Sequence, residues 1–287
     1  MATTVLDWLI RRYPTAKRQT LKRMIERRRV TVNGSAAKTL KQEVRDGDEV
    51  AVDERRPEVA ADEAKLPFGI VYEDHDILVV NKPAGLLTST VPREKRPTLL
   101  GMVREYVARR QPRARVGLIH RLDRHAAGLL IFSKTNDAYE SLKRQFFEHS
   151  VDRIYSAVVR GIPREANGRI ESYLIELADG TVRSTRQPHR GQRAVTGYEV
   201  VKEGMGVAML RVRLETGRKH QIRVHLSESG WPIVGDIVYG AEGKGPLMLF
   251  ATSLGVEHPR TGAKLWWELP LPPNFRLAMG ASERGGA

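Results

Sequence analysis

A cluster of ionisable side chains lies in the segment GLIHRLDRHAAGLL, residues 117–130, between two apolar stretches. It holds one carboxylate, Asp123, among two arginines and two histidines. A carboxylate surrounded by positive charge stays ionised at neutral pH, so Asp123 can act as a nucleophile, a general base or one half of a structural ion pair. With His120 and His125 it could also ligate a metal ion, although the adjacent arginines oppose a cation there.

The composition limits the partners that such a cluster can serve. The 287 residues carry 48 Lys+Arg against 34 Asp+Glu, a formal net charge of +14, and the sequence pI is near 10.2. A field of this sign favours a polyanion, either a nucleic acid or an acidic membrane surface. Because there is no cysteine, disulfides, cysteine-based zinc sites and thiol nucleophiles are excluded. No signal-peptide pattern and no apolar run of about 18 residues is found, so we predict a soluble, cytoplasmic protein that binds nucleic acid.

The first fifty residues predict a small α/β unit with a basic helix. Val5, Leu6, Leu9 and Ile10 recur at helical spacing, and a second, basic amphipathic helix follows Thr15. RVTVNGSAA and VRDGDEVAV then each predict a short strand beside a turn. This pattern, over residues 1–53, resembles the S4 RNA-binding domain. The resemblance implies that structured RNA is held through its phosphates by basic residues of this unit, namely Arg18, Lys22, Arg27 and Arg28.

The rest of the chain predicts an α+β domain on a large, mostly antiparallel mixed sheet. Residues 54–67 are rich in charge and poor in large apolar side chains, which is typical of a linker. Strand-like runs flank the 117–130 segment and recur in RIYSAVVRG, RAVTGYEVV and VAMLRVRLET, and a helix is predicted from about Asn136. We therefore assign residues 68–278 to this domain and expect residues 279–287 to be a disordered tail.

Four motifs in this domain resemble those of the RluA-like pseudouridine synthases. HRLDRHAAGLLIFSK, residues 120–134, is similar to the family's H-R-L-D signature, and VVNKPAGLL, residues 79–87, to its N-K-P-x-G motif. RIYSAVVRG, residues 153–161, resembles the R-x-Y-x-A strand, and residues 214–240 resemble the segment T-G-R-x-H-Q-I-R through G-D-x-x-Y-G. The motifs occur in the family's order, and an S4-like domain ahead of them is also a family arrangement.

The resemblance implies an enzyme that isomerises uridine to pseudouridine in RNA, without a metal or another cofactor. It implies that Asp123 is the essential carboxylate, with Tyr155 and Arg223 as its catalytic companions. We expect the planar guanidinium of Arg223 to form a bidentate pair with Asp123. The residues expected to bind substrate are Arg121, His120, Arg218, Lys219, His220 and Gln221. Whether Asp123 attacks the sugar, attacks the base or abstracts a proton stays open, as does whether Lys82 serves the site or anchors its loop.

One departure from the family pattern keeps alternatives open. Ala126 and Ala127 stand where the family usually has Thr or Ser, so two hydroxyl groups are missing beside the aspartate. A non-catalytic RNA-binding factor that assists ribosome assembly is one alternative. A metal-dependent hydrolase using His120, Asp123 and His125 is another. The sequence favours ribosomal RNA, with transfer RNA possible, and we expect a monomer that binds no membrane.

Overall fold

The computed structural model describes residues 3–13, 18–26, 30–45, 47–52, 66–90, 96–240 and 245–279. The chain divides into two compact units, Met1–Leu66 and Pro67–Ala287. Nearly all of the predicted linker, residues 54–67, and of the predicted tail, residues 279–287, lies outside the described residues.

The described residues of the first unit form two helices and short strands. Helix α1 spans Val5–Arg12 and α2 spans Arg18–Glu26. The Thr4 hydroxyl accepts a hydrogen bond from the Asp7 amide, and the Asp7 carboxylate accepts one from the Thr4 amide, so a capping box starts α1. The strands are β1 (Thr3–Thr4), β2 (Val30–Val32), β3 (Ser35–Ala36), β4 (Glu43–Val44) and β5 (Val50–Val52).

The hydrophobic residues of the first unit form its own core. β2 pairs antiparallel with β3 and with β5, and β1 pairs with β4. Asn33 and Gly34 both have positive φ, 51° and 75°, which confirms the predicted turn between β2 and β3. One buried cluster combines both helices and the sheet: Val5, Leu9, Leu21, Met24, Ile25, Val30, Val32 and Ala37. Ile10 lies outside this core and is about half exposed, because it faces solvent from α1.

The second unit is built on an eleven-stranded mixed sheet, which confirms the predicted architecture. Its strands are β6 (Gly69–Glu73), β7 (Ile77–Lys82), β8 (Gly117–Leu118), β9 (Ala127–Ser133), β10 (Asp152–Arg160), β11 (Asn167–Glu176), β12 (Val182–Thr185), β13 (Gln192–Glu203), β14 (Val207–Leu214), β15 (Leu249–Glu257) and β16 (Lys264–Glu268). The main path runs β12-β11-β13-β14-β10-β15-β9-β7-β6, and β16 and β8 pair with β15 and β9. Within it only β9 and β15 pair in parallel.

Helices cover parts of this sheet. They are α3 (Leu99–Arg110), α4 (Asn136–Phe147), α5 (Gln221–Glu228) and α6 (Pro273–Ala278). α4 begins where the sequence predicts, because the Thr135 hydroxyl accepts the Ala138 amide and caps it. Ala138 and Leu142 of α4 pack on β7 and β9 in a cluster with Ile77, Leu129 and Ile131. Val224 of α5 packs instead with Leu174, Val182 and Ala194.

The strand predicted in VAMLRVRLET is present as β14, and its side chains alternate: Ala208, Leu210, Val212 and Leu214 are buried, whereas Arg211 and Arg213 are exposed. Helices α3 and α6 and strands β11, β12, β15 and β16 were not predicted from the sequence. Among the helices described, none is both long enough and apolar enough to span a bilayer.

Candidate active site

One cavity of the second unit brings the predicted residues together. It has a volume of about 680 Å³ and lies beside the loop between β8 and β9. Its lining includes every residue that we expected to be catalytic or to bind substrate in this unit: Asp123, Tyr155, Arg223, Arg121, His120, Arg218, Lys219, His220 and Gln221.

The loop after β7 fixes the backbone on both sides of Asp123. The Thr88 hydroxyl donates to the Leu122 carbonyl at 2.7 Å, and the Gly85 amide donates to the Arg124 carbonyl at 2.8 Å. The fully buried Lys82 ammonium donates to the carbonyls of Pro83, Leu86 and Arg124 at 2.8–3.1 Å. These contacts place Lys82 as an anchor between the two loops.

Beyond Asp123 the chain enters β9 through Gly128. Its φ is 112°, and a side chain there would place Cβ only 2.3 Å from the Ala251 carbonyl oxygen. Glycine is therefore required for β9 to pair closely with β15 directly after the loop that carries Asp123. The methyl group of Ala126 is buried at this point.

Arg223 binds two carboxylates, and the bidentate one is not Asp123. Its Nε and Nη2 donate to Asp236 at 2.8 Å each, whereas Nη1 reaches Asp123 Oδ2 at 3.3 Å. Our expectation of a bidentate Arg223–Asp123 pair is therefore wrong, because the guanidinium edge formed by Nε and Nη2 is turned to Asp236. Asp236 also accepts the amides of Val238 and Tyr239, both at 3.0 Å.

Burial differs sharply across this triplet. The side chain of Asp236 is fully buried, that of Arg223 is 7% exposed and that of Asp123 is 17% exposed. Burial alone would raise the pKa of Asp236, but the Arg223 hydrogen bonds and charge hold it below its usual value. Burial opposes the charge of Arg223, yet Asp236 and Asp123 raise its pKa. The result is a permanently charged arginine whose Nη1 donates to Asp123.

His220 approaches the other oxygen of Asp123. Its Nε2 is 4.0 Å from Asp123 Oδ1, and its Nδ1 is 2.7 Å from the Tyr239 hydroxyl oxygen. That hydroxyl accepts the Val182 amide at 2.8 Å, and burial raises the pKa of Tyr239, so its own proton is retained and points to Nδ1. Desolvation lowers the pKa of His220, so the ring is neutral. We infer that Tyr239 donates to Nδ1, which places the ring proton of His220 on Nε2, facing Asp123.

His120 and Tyr155 form buried parts of the cavity wall. His120 stacks on Phe146 with ring centroids 4.7 Å apart, and its Nε2 accepts the Ile131 amide. Desolvation lowers the pKa of His120 to about 3, so it is neutral. Tyr155, on β10, is 6% exposed, and desolvation raises the pKa of its hydroxyl although Arg153 opposes the shift.

The remaining predicted residues differ in what they can offer a substrate. Arg121 is exposed, and the Arg218 guanidinium donates to the Arg193 carbonyl at 3.1 Å. Lys219 pairs with Glu176. Gln221 is buried, and both ends of its amide are engaged by Thr216, Arg218, Val195 and Thr196. The contacts of Gln221 therefore serve the start of α5.

Two further groups of residues were proposed from the sequence, the basic residues of the first unit and a metal site of two histidines and an aspartate. Arg18 and Lys22 are exposed on α2, whereas Arg27 and Arg28 lie outside the described residues. His120, Asp123 and His125 are not gathered into a metal-ligand set. Within the described part of the chain, the trio with such spacing is Asp74, Asp76 and His258. There Asp74 faces His258 and Asp76 faces Arg260.

Asp236 and Tyr239 also belong to the site, although neither was predicted as a site residue from the sequence. Both stand in the quoted segment at residues 214–240, and the signal was the pattern G-D-x-x-Y-G itself. No spacing rule shows that this turn folds back under α5 to hold Arg223 and His220.

Comparison with known proteins agrees with the geometry. The RNA pseudouridylate synthase family matches residues 76–228, and the S4 domain matches residues 6–50. An uncharacterized RNA pseudouridine synthase of Bacillus subtilis is 34% identical, covering 96% of this chain and 90% of its own length. Ribosomal large subunit pseudouridine synthase D of Yersinia pestis is also 34% identical, with coverages of 92% and 86%.

A solved structure shows the same fold in the second unit. Human RNA pseudouridylate synthase domain containing 1 superposes with a TM-score of 0.60 at 26% identity, covering 75% of this chain and 87% of that one. Motifs, fold and relatives therefore agree that this chain belongs to the RNA pseudouridylate synthase family and carries an N-terminal S4 domain.

Proposed function

We propose that Asp123 is the catalytic carboxylate of this synthase, assisted by Tyr155 and Arg223, and that its substrate is ribosomal RNA. The observation that carries the proposal is the convergence of all three residues in one cavity, with Arg223 bound to Asp123. The isomerisation breaks the C1′–N1 bond and joins C1′ to C5. A proton leaves C5 and one is gained at N1, so no co-reactant is consumed.

The shape of the cavity supports the assignment of roles. A uracil must leave the RNA stack before its C1′ and C5 can be reached. Asp123 retains partial exposure at the cavity, while Tyr155 is a buried, protonated wall residue. The exposed Arg121, two residues before Asp123, is placed to fill the vacated position in the RNA or to meet its phosphates. Arg223 orients the carboxylate through Nη1, while Asp236 fixes the guanidinium from the other side.

The choice of ribosomal RNA rests on two observations. Several relatives at about one-third identity are named ribosomal large subunit pseudouridine synthase D. The S4 domain match indicates structured RNA as the ligand. We infer in addition a cytoplasmic monomer, which size-exclusion chromatography with light scattering tests directly.

A pseudouridine map of total RNA, with and without the gene, tests the proposal. We expect one or a few uridines of large-subunit ribosomal RNA to lose modification in the deletion. They should regain it with the wild-type gene and not with an Asp123→Asn gene. Changes confined to transfer RNA would overturn the ribosomal assignment, and an unchanged map would contradict the proposal as a whole.

A further inference from the structure

Arg153 is a buried cation in the cavity that the reaction scheme does not use. It lies on β10 two residues before Tyr155, its side chain lines the cavity, and it is 7% exposed. Its Nη2 donates to the carbonyls of Leu214 and Glu215, both at a long 3.4 Å. Its buried Nε has no acceptor, and no carboxylate of the described residues pairs with the guanidinium. Arg153 is thus a charge without a counter-charge.

The contrast with Arg223 shows how unusual this is. Both arginines are equally buried, but Arg223 contacts two carboxylates. Desolvation lowers the pKa of Arg153; Tyr155 opposes the shift, and the nearby Arg218 adds to it. A buried charge that lacks a partner destabilises the folded protein, which indicates that an anion joins Arg153 when a ligand is bound.

The surroundings shape a position for that anion. The Cζ atom of Arg153 is 5.4 Å from the Phe146 ring centroid, and Gly217 lies so close that a Cβ there would be 2.5 Å from Nη1. Among the described lining residues six carry a positive charge, Arg121, Lys143, Arg153, Arg218, Lys219 and Arg223, and Asp123 is the sole carboxylate. Arg223 holds that carboxylate and Lys219 pairs with Glu176, whereas Arg218 lies close enough to Arg153 to lower its pKa.

We propose that Arg153 binds a phosphodiester group adjacent to the target uridine and so fixes the nucleotide over Asp123. The phosphates are the anionic groups of RNA, and a planar guanidinium matches their oxygens. This inference rests on the proposed function for its ligand. It assigns Arg153 a role in binding and positioning, distinct from the roles of Asp123, Tyr155 and Arg223.

The test pairs a charge deletion in the protein with one in the RNA. The probe is a synthetic stem-loop containing a uridine that the wild-type enzyme converts, with native phosphates or one neutral methylphosphonate 5′ or 3′ of that uridine. Binding and single-turnover rates are measured for the wild type, Arg153→Met, Arg153→Lys and Arg211→Met. Arg211 is a matched control, because it is exposed on the adjacent strand β14 and pairs with Glu199 at 2.8 Å.

We expect Arg153→Met to weaken binding of native RNA about 10- to 100-fold, as for loss of a charge-assisted hydrogen bond. One of the two methylphosphonates should weaken RNA binding by the wild type by a similar factor, and RNA binding by Arg153→Met by less than about twofold. Arg153→Lys should keep part of the sensitivity to that methylphosphonate, and Arg211→Met should bind both RNAs as the wild type does. Equal losses in wild type and Arg153→Met at both positions would overturn the proposal.

A measurement without RNA separates this proposal from the proposed function. At matched ionic strength, inorganic phosphate should raise the Tm of the wild type more than chloride does, and Arg153→Met should not respond. The Tm of unliganded Arg153→Met should equal or exceed that of the wild type, because an unpaired buried charge is removed. A lower Tm with an unchanged phosphate response would show a structural role. If the wild type converts no RNA, the proposed function fails while the phosphate measurement still decides the role of Arg153.

Discussion

Arg223 connects two carboxylates of different burial, and this makes its roles separable by mutation. Asp236 is fully buried and bidentate, while Asp123 is partly exposed and held by one N–H. Removal of one partner of a buried pair typically costs about 3–5 kcal/mol, whereas replacement of both by apolar residues is often neutral. The stability of the fold therefore depends mainly on the Asp236 contact, and the orientation of the proposed catalytic carboxylate depends on the Asp123 contact.

We predict that Arg223→Ala lowers both the free energy of unfolding, by about 3–5 kcal/mol, and single-turnover activity at saturating enzyme. Arg223→Lys should restore part of each, because an ammonium cannot replace the planar guanidinium. The double variant Arg223→Met, Asp236→Asn should regain part of the stability in thermal unfolding but not turnover, because the stranded charge is removed while an amide oxygen still accepts the Val238 and Tyr239 amides. A double variant with wild-type turnover would show that Arg223 acts only on the fold.

His220 gives a second prediction at the residue scale. Its Nε2–H faces Asp123, and its Nδ1 accepts from Tyr239. His220→Gln retains an N–H near the Nε2 position, whereas His220→Asn retains an acceptor near Nδ1. We predict that Gln keeps most of the turnover and that Asn loses roughly tenfold, with RNA affinity unchanged in both.

The backbone geometry makes that comparison informative. His220 has φ of 53°, a left-handed conformation that asparagine adopts more readily than glutamine. Backbone strain alone would therefore penalise Gln. If single-turnover rates show that Asn preserves activity, the Nε2–H does not assist Asp123, whatever the rate with Gln.

At the scale of elements, Lys82 joins the loop after β7 to the loop between β8 and β9 that carries Asp123. Burial lowers the pKa of Lys82 to about 8, although Asp123 opposes the shift. The unfolded chain then binds more protons than the folded one between about pH 8 and the ordinary lysine value of 10.5. Stability supplied by this site accordingly rises with pH across that window.

We predict that the unfolding free energy of the wild type minus that of Lys82→Met increases as the pH is raised from 8 to 10. Denaturant unfolding at several pH values measures it, and Lys264→Met on β16, where Lys264 is exposed, serves as the control. A difference that falls or stays flat would mean that Lys82 remains charged in the folded protein throughout.

The elements show how far the sequence could lead. Alternating β14, the capped start of α4 and the Asn33–Gly34 turn follow local rules, and all three are present. The residues predicted for the site stand in three of the four motifs, and the structure places them in one cavity. The bidentate Arg223–Asp236 pair and the Tyr239–His220 contact depend on a turn that folds back after α5. Such non-local pairing has no periodic signature, so it could not be predicted.

At the scale of the whole molecule, two separate cores suggest that the units fold independently. One core lies within residues 1–66 and the other within residues 67–287. We predict that a chain of residues 67–287 is folded by circular dichroism and retains activity, but binds RNA more weakly. Because exposed Arg18 and Lys22 are removed, the salt dependence should also become shallower, by about 0.7 in logarithmic slope for each lost phosphate contact on single-stranded RNA. An unfolded fragment would show that the boundary is misplaced.

The most direct test concerns the proposed role of the Asp123 carboxylate in the isomerisation. Asp123→Asn preserves the size of the side chain and its place in the loop while removing the charge. The decisive measurement is pseudouridine formation by the purified variant at saturating enzyme, with RNA affinity determined in parallel. We predict no detectable pseudouridine and an RNA affinity within a few-fold of wild type. A variant that converts uridine at a rate near wild type would contradict that role.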